Sequence, residues 1–82
     1  MLHIVYSKTG LELCLEILTP TDCVLFVGNG VYEARELDCS NSYALASDVQ
    51  ERGIQIPANI RLVSFEDWVD LIVNTSKSAT WK

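Results

Sequence analysis

The chain has 82 residues, 49% of them hydrophobic and 21% charged, with a formal net charge of −5. That length confines it to one small domain, and the apolar share is too high for a disordered chain. Its six Lys and Arg residues are scattered against eleven Asp and Glu, which excludes a self-sufficient grip on a nucleic-acid backbone.

The first segment, Leu2 to Tyr6, reads as a short buried strand. It is too short for the apolar region of a signal peptide and is soon followed by Lys8. Ser7 to Gly10 is a turn, and Thr9 with Glu12 forms a capping-box pattern that opens a helix through Leu18. Pro20 breaks that helix. Cys23 to Val27 is the second strand, stopped by Gly28-Asn29-Gly30. A short helix is expected over 31–36, then a polar connection, then a third strand over 43–46. Ser47 with Gln50 repeats the capping pattern for a helix that Gly53 can end. Pro57 and Asn59 mark a loop before a fourth strand over 60–63. Ser64 caps the last helix, with Glu66 and Asp67 suited to its positive end. The tail over 75–82 is polar apart from Trp81.

The strands are continuous apolar runs with helices between them. That order predicts an α/β fold: a small three-layer α/β/α domain over residues 1–82 with a mostly parallel sheet of about four to five strands. No run approaches the roughly 20 apolar residues of a membrane helix. In the last helix Phe65, Trp68, Val69 and Ile72 share a face expected to pack on the sheet, opposite Asp67, Asp70 and Asn74. Between Leu11 and Leu18 only Glu12 and Glu16 are polar. So narrow a polar stripe predicts a helix covered on more than one side, with a second chain as part of the cover.

The turn at Gly28-Asn29-Gly30 stands at the carboxyl end of a strand, where α/β proteins gather ligands. It lacks the third glycine of a dinucleotide fingerprint and the lysine of a P-loop, and its glycines are equally explained by unusual backbone angles. One histidine, His3, and no Cys-x-x-Cys pair give no basis for a metal site. The three separated cysteines suit free thiols in a reducing cytoplasm. Cys23 lies in an apolar strand, and Cys39 sits beside Asp38, which disfavours a thiolate. Cys14 falls at the centre of the apolar face of the first helix, where a buried core thiol is expected. Of the three it is the one whose reactivity the residues leave open.

Several motifs recur in a fixed order: Met1-Leu2-His3, Asn29-Gly30-Val31-Tyr32, Tyr43-Ala44-Leu45 with Asp48 and Arg52-Gly53, Phe65-x-x-Trp68-Val69-Asp70-Leu71, and Trp81. Together they resemble the TusB/DsrH family of sulfur-relay proteins over essentially the whole chain. Many relatives carry Asp-Gly in place of Asn29-Gly30, and the segment 35–42 is shorter here. The resemblance implies a cytoplasmic subunit without a cofactor. It implies assembly with TusC/DsrF-like and TusD/DsrE-like chains, often as a hexamer with two copies of each. In the Tus version such a complex passes persulfide sulfur, by way of a TusE/DsrC-like acceptor, toward 2-thiolation of the wobble uridine of certain tRNAs. The main carrier cysteine there belongs to the TusD-like subunit, so tRNA is an indirect partner of this chain. Cys14 stands, relative to Gly30, where DsrH-type members carry a cysteine and TusB-type members usually do not, which implies a candidate secondary sulfur site. DsrH-type chains work with sulfur-oxidation machinery, so a sulfur carrier that uses Cys14 there is the second alternative, and a stand-alone non-catalytic homo-oligomer is the third. The expected partner contacts are Leu11, Leu15, Asn29, Gly30, Val31 and Tyr32.

Overall fold

The computed structural model describes residues 1–82. Five strands, β1 (Leu2–Val5), β2 (Cys23–Phe26), β3 (Asn41–Leu45), β4 (Arg61–Val63) and β5 (Ser78–Trp81), form one sheet in the order β4-β3-β2-β1-β5. Every pairing is parallel. Three α-helices, α1 (Lys8–Leu15), α2 (Ala46–Arg52) and α3 (Phe65–Val73), and a 3-10 helix over Gly28–Glu33 connect the strands. The expected α/β class and parallel sheet are therefore what the chain adopts.

Side chains alternate across the sheet and build a core on each face. On one face Val5, Val24, Phe26 and Ala44 meet Leu11 and Cys14 of α1, Val31 of the 3-10 helix and Val49 of α2. On the other, Leu2, Ile4, Leu25, Val27, Leu45 and Val63 are covered by Trp68 and Leu71 of α3. The first four strands step in one direction across the sheet with their connections on one face. The chain then reverses, crosses beneath on α3, and adds β5 beside β1. Reversing direction while keeping right-handed crossovers requires the last helix to lie on the opposite face.

Several boundaries differ from expectation for identifiable reasons. The cap of α1 is Ser7, whose hydroxyl accepts from the Gly10 amide at 3.0 Å, so the helix starts before Thr9 and ends at Leu15. The segment after β2 winds as a 3-10 helix beginning at Gly28 rather than an α-helix from Val31. The α2 helix begins directly off β3 with Leu45 as its N-cap and no side-chain cap from Ser47, and it ends at Gly53 in the left-handed conformation, as expected. Ser64 caps α3 in a full capping box with Asp67, both bonds 3.1 Å. The tail read as polar is the edge strand β5. The largest correction concerns α3. Trp68 and Leu71 face the sheet, whereas Phe65, Val69 and Ile72, expected there, are exposed.

Two glycines are required for different reasons. At Gly30 an added Cβ would meet the Val5 carbonyl oxygen at 2.1 Å, backbone that cannot step aside. At Gly53 nothing lies within 4 Å and only the positive φ of 61° disfavours a side chain. Gly30→Ala should therefore cost about 3 kcal/mol or more, and Gly53→Ala about 1 kcal/mol. Urea unfolding midpoints of the two variants at equal m value check this ranking; equal costs would refute the steric account of Gly30.

Candidate functional site

Residues matched by the sequence motifs converge at the carboxyl end of β2 and β3. The Gly28 amide donates to Asp48 Oδ2 at 2.7 Å. Arg52, one turn along α2 from Asp48, donates to Asp48 Oδ1 at 3.4 Å and to Asn29 Oδ1 at 3.1 Å. Its guanidinium lies 5.8 Å from the centre of the Tyr32 ring. An acidic side chain from α2 thus occupies the amide an incoming anion would use, and an arginine locks that acid in place. The turn is closed by the chain's own charges. It is not an open phosphate cradle.

The topological switch point, between the carboxyl ends of β1 and β5, is closed as well. There α1 packs so tightly on β5 that a Cβ on Gly10 would meet the Trp81 carbonyl oxygen at 2.4 Å, and the Tyr6 amide donates to that same oxygen at 2.9 Å. Of the two open clefts, one, of about 210 Å³, is at the opposite end of the sheet and is lined mainly by polar groups, among them Cys39, Ser42 and Arg61. The other runs between α3 and β4. No three His, Cys, Asp or Glu side chains come together as metal ligands.

The expected partner residues divide. Leu15 and Tyr32 are 38% and 56% exposed, and Asn29 is exposed too. Leu11 and Val31 belong to the chain's own core, and Gly30 is buried against β1. The apolar residues left in solvent here are Leu13 and Leu15 of α1 and Ile17 of the turn that follows it. These side chains flank the buried stripe of Leu11 and Cys14, so the helix is apolar on more than the side its own chain covers.

Cys14 is completely buried in the core beside Leu11, Val31 and Phe26. Burial, with smaller contributions from Asp22 and Cys39, pushes its thiol up to about 11. Cys23 and Cys39 are half-buried; the Cys39 thiol lies 3.5 Å from the Asn41 carbonyl and from the Ser42 hydroxyl. No histidine or lysine accompanies any of the three as an activating base.

The single histidine has a structural task that was visible in the motifs only as isolated letters. His3 is fully buried. Trp81 Nε1 donates to its Nδ1 at 3.0 Å, and indole can only donate. Nδ1 is therefore the acceptor, and Nε2 carries the proton that points to Asp22 Oδ2, 2.9 Å away. Asp22 also accepts from the Thr19 amide at 3.0 Å and from the amino terminus at 3.2 Å. The hydrogen bond from His3, then that from Thr19, hold its carboxyl well below the usual carboxylate range, against the opposing effect of burial.

A family model described as DsrH like protein matches residues 5–78, which includes both the motif cluster and the Cys14 position. The chain belongs to the DsrH-like family. Curated protein sequences contain no significant match to it. Membership makes this DsrH-like chain a sulfur-relay subunit in the general sense, one that works with relay partners. None of its helices is long and apolar enough to cross a membrane.

Two expectations follow. With a thiol reagent at pH 8, native protein should lose Cys39 and Cys23 first and Cys14 only on unfolding; peptide mapping reads the order, and early loss of Cys14 would contradict its burial. The second concerns acid. Because the folded value of Asp22 lies below its ordinary 3.8, its stabilisation is complete above that value and is lost as pH falls below it. Asp22→Asn should cost about 2 kcal/mol at pH 7 and flatten the loss of stability below pH ~4, measured by denaturant titrations across pH.

Proposed function

We propose that this DsrH-like chain is a non-catalytic subunit of a heteromeric sulfur-relay complex that supports 2-thiolation of the tRNA wobble uridine. The observation that carries the reading is the state of Cys14. Sulfur passed between proteins travels by attack of an exposed thiolate on a persulfide. The thiol at the family's cysteine position is instead fully buried and pushed up to about 11. A group so placed fills the core, and a partner subunit carries the sulfur.

The partners are TusC/DsrF-like and TusD/DsrE-like chains, in a heterohexamer with two copies of each, which delivers to a TusE/DsrC-like acceptor. Leu13 and Leu15 of α1 and Ile17 just after it, with Tyr32 and Asn29, form the contact surface on one face of the sheet. This shifts the centre of the expected interface outward, from Leu11 and Val31 to their exposed neighbours. Tyr32 beneath the Arg52 guanidinium is a rigid amphipathic anchor of the kind enriched at interfaces. The net charge of −5 leaves tRNA contact to other subunits. The same motifs admit a carrier role for Cys14 in sulfur oxidation, and that reading needs α1 to open.

Both readings meet one measurement. The assembled complex is incubated with a cysteine desulfurase and cysteine, and each subunit is weighed by intact-mass analysis. Sulfur is expected on the TusD/DsrE-like chain alone, with no change in the Cys14→Ser complex. One added sulfur on this chain, absent from Cys14→Ser, would replace the scaffold reading with the carrier.

A further inference from the structure

The α3 helix has two apolar sides, and the chain covers only one. Trp68 and Leu71 face the sheet, yet no residue of the helix is fully buried. Phe65, Val69, Ile72 and Val73, spaced i, i+4, i+7 and i+8, form a second stripe. They are 66%, 44%, 41% and 73% exposed. On the covered side the Trp68 indole N–H is buried and has no acceptor, although buried donors are nearly always paired.

Charge tells what belongs there. The helix contains Glu66, Asp67 and Asp70 and no basic residue. Asp67 is used in the capping box, whereas Glu66 and Asp70 take part in no salt bridge within the chain. On the wheel they border the exposed stripe along one edge. Past that edge runs an open groove of about 310 Å³, lined by Asp67, Asp70, Leu71, Asn74 and residues of β4, with Arg61 its one cation. Two copies joined stripe to stripe would bring like-charged rims together on chains of net charge −5, which disfavours a homodimer.

We propose that the outer stripe of α3 is a docking surface for a partner subunit that presents an apolar helix bordered by lysine or arginine. The proposal rests on the subunit reading and adds to it a second surface and the chemistry of its occupant. The stripe lies on the face of the sheet opposite α1. A chain that holds two different neighbours needs two such separate surfaces.

The test uses the full chain with the DsrE-like and DsrF-like subunits of the same genome, followed by native mass spectrometry and affinity titration at two salt concentrations. Val69→Asp with Ile72→Asp should weaken one partner contact roughly 100-fold or more. Glu66→Lys with Asp70→Lys should weaken it about tenfold, chiefly by slower association, and reverse its salt dependence. All four positions are exposed, so circular dichroism should show folded variants, and the charge-reversal pair carries the test alone should the aspartate pair unfold. Wild-type assembly by both variants would overturn the surface while leaving the subunit reading standing. A wild-type chain that binds neither partner would overturn both. A homodimer of the wild type that Val69→Asp with Ile72→Asp dissolves would overturn the basic partner.

Discussion

The imidazole of His3 is hydrogen-bonded on both nitrogens, to the residue that precedes β2 on one side and to the last residue of β5 on the other. Three adjacent strands are tied through one ring. Because indole can only donate, the ring is held in a single neutral tautomer, and Asp22 receives a proton donor from it. That carboxylate gathers the Thr19 amide and the amino terminus as well, so the beginning and the end of the chain meet at one buried site. A one-residue slip of β1 would turn His3 to the opposite face and strand all of these groups. The cost of an unpaired buried polar group makes such a network a register lock more than a source of net stability. The two cores rest on that register, since each face is apolar only when Leu2 and Ile4 point one way and Val5 the other.

A second set of contacts does for the carboxyl end of the sheet what His3 does for its interior. Gly30 lets the 3-10 helix lie directly on β1, and Asp48 and Arg52 fasten it to α2. The residues that make the family recognisable here are those that close the turn. A signature of this kind reads as a binding loop because glycine, asparagine and aspartate also build phosphate cradles. What separates the two is whether the amide at the turn is free. Here it is taken by an acid 20 residues away in sequence, a fact that no local pattern encodes.

Local physics therefore made some elements legible and left others out. The central strands β1 and β2 are readable because burial on both faces demands continuous apolar runs. The cap at Ser64 and the stop at Gly53 were readable because each is a matter of three or four neighbouring residues. The β5 strand was not, for Ser78 and Thr80 are exposed at a sheet edge and carry no apolar signal; its place is set by Trp81 reaching His3 across 78 residues. The face that α3 turns to the sheet is hidden from the sequence for a related reason. An apolar arc that spans most of a helix identifies the polar side well and leaves undecided which part of the arc the sheet takes. In the site, the burial of Cys14 followed from its place on the wheel, whereas the division of Leu11 and Val31 from Leu15 and Tyr32 needed the packing itself.

That broad arc also bears on why so small a chain is so apolar. A sheet of five short strands offers two faces, and connections over 82 residues supply three elements to one face and a single helix to the other. The well-covered face still leaves Leu13, Leu15 and Ile17 in solvent, and the thinly covered one leaves four side chains of α3. Burying a Val, Leu, Ile or Phe side chain is worth roughly 1.5–3 kcal/mol, so surfaces of this kind are costly to keep in water and favourable to cover. A stand-alone domain would gain from polar residues at these positions, as each lies outside the two cores. Their presence on both faces, beside a carboxyl-end turn sealed by its own charges and a core cysteine without access, supports the proposed role of a subunit that holds its neighbours in place.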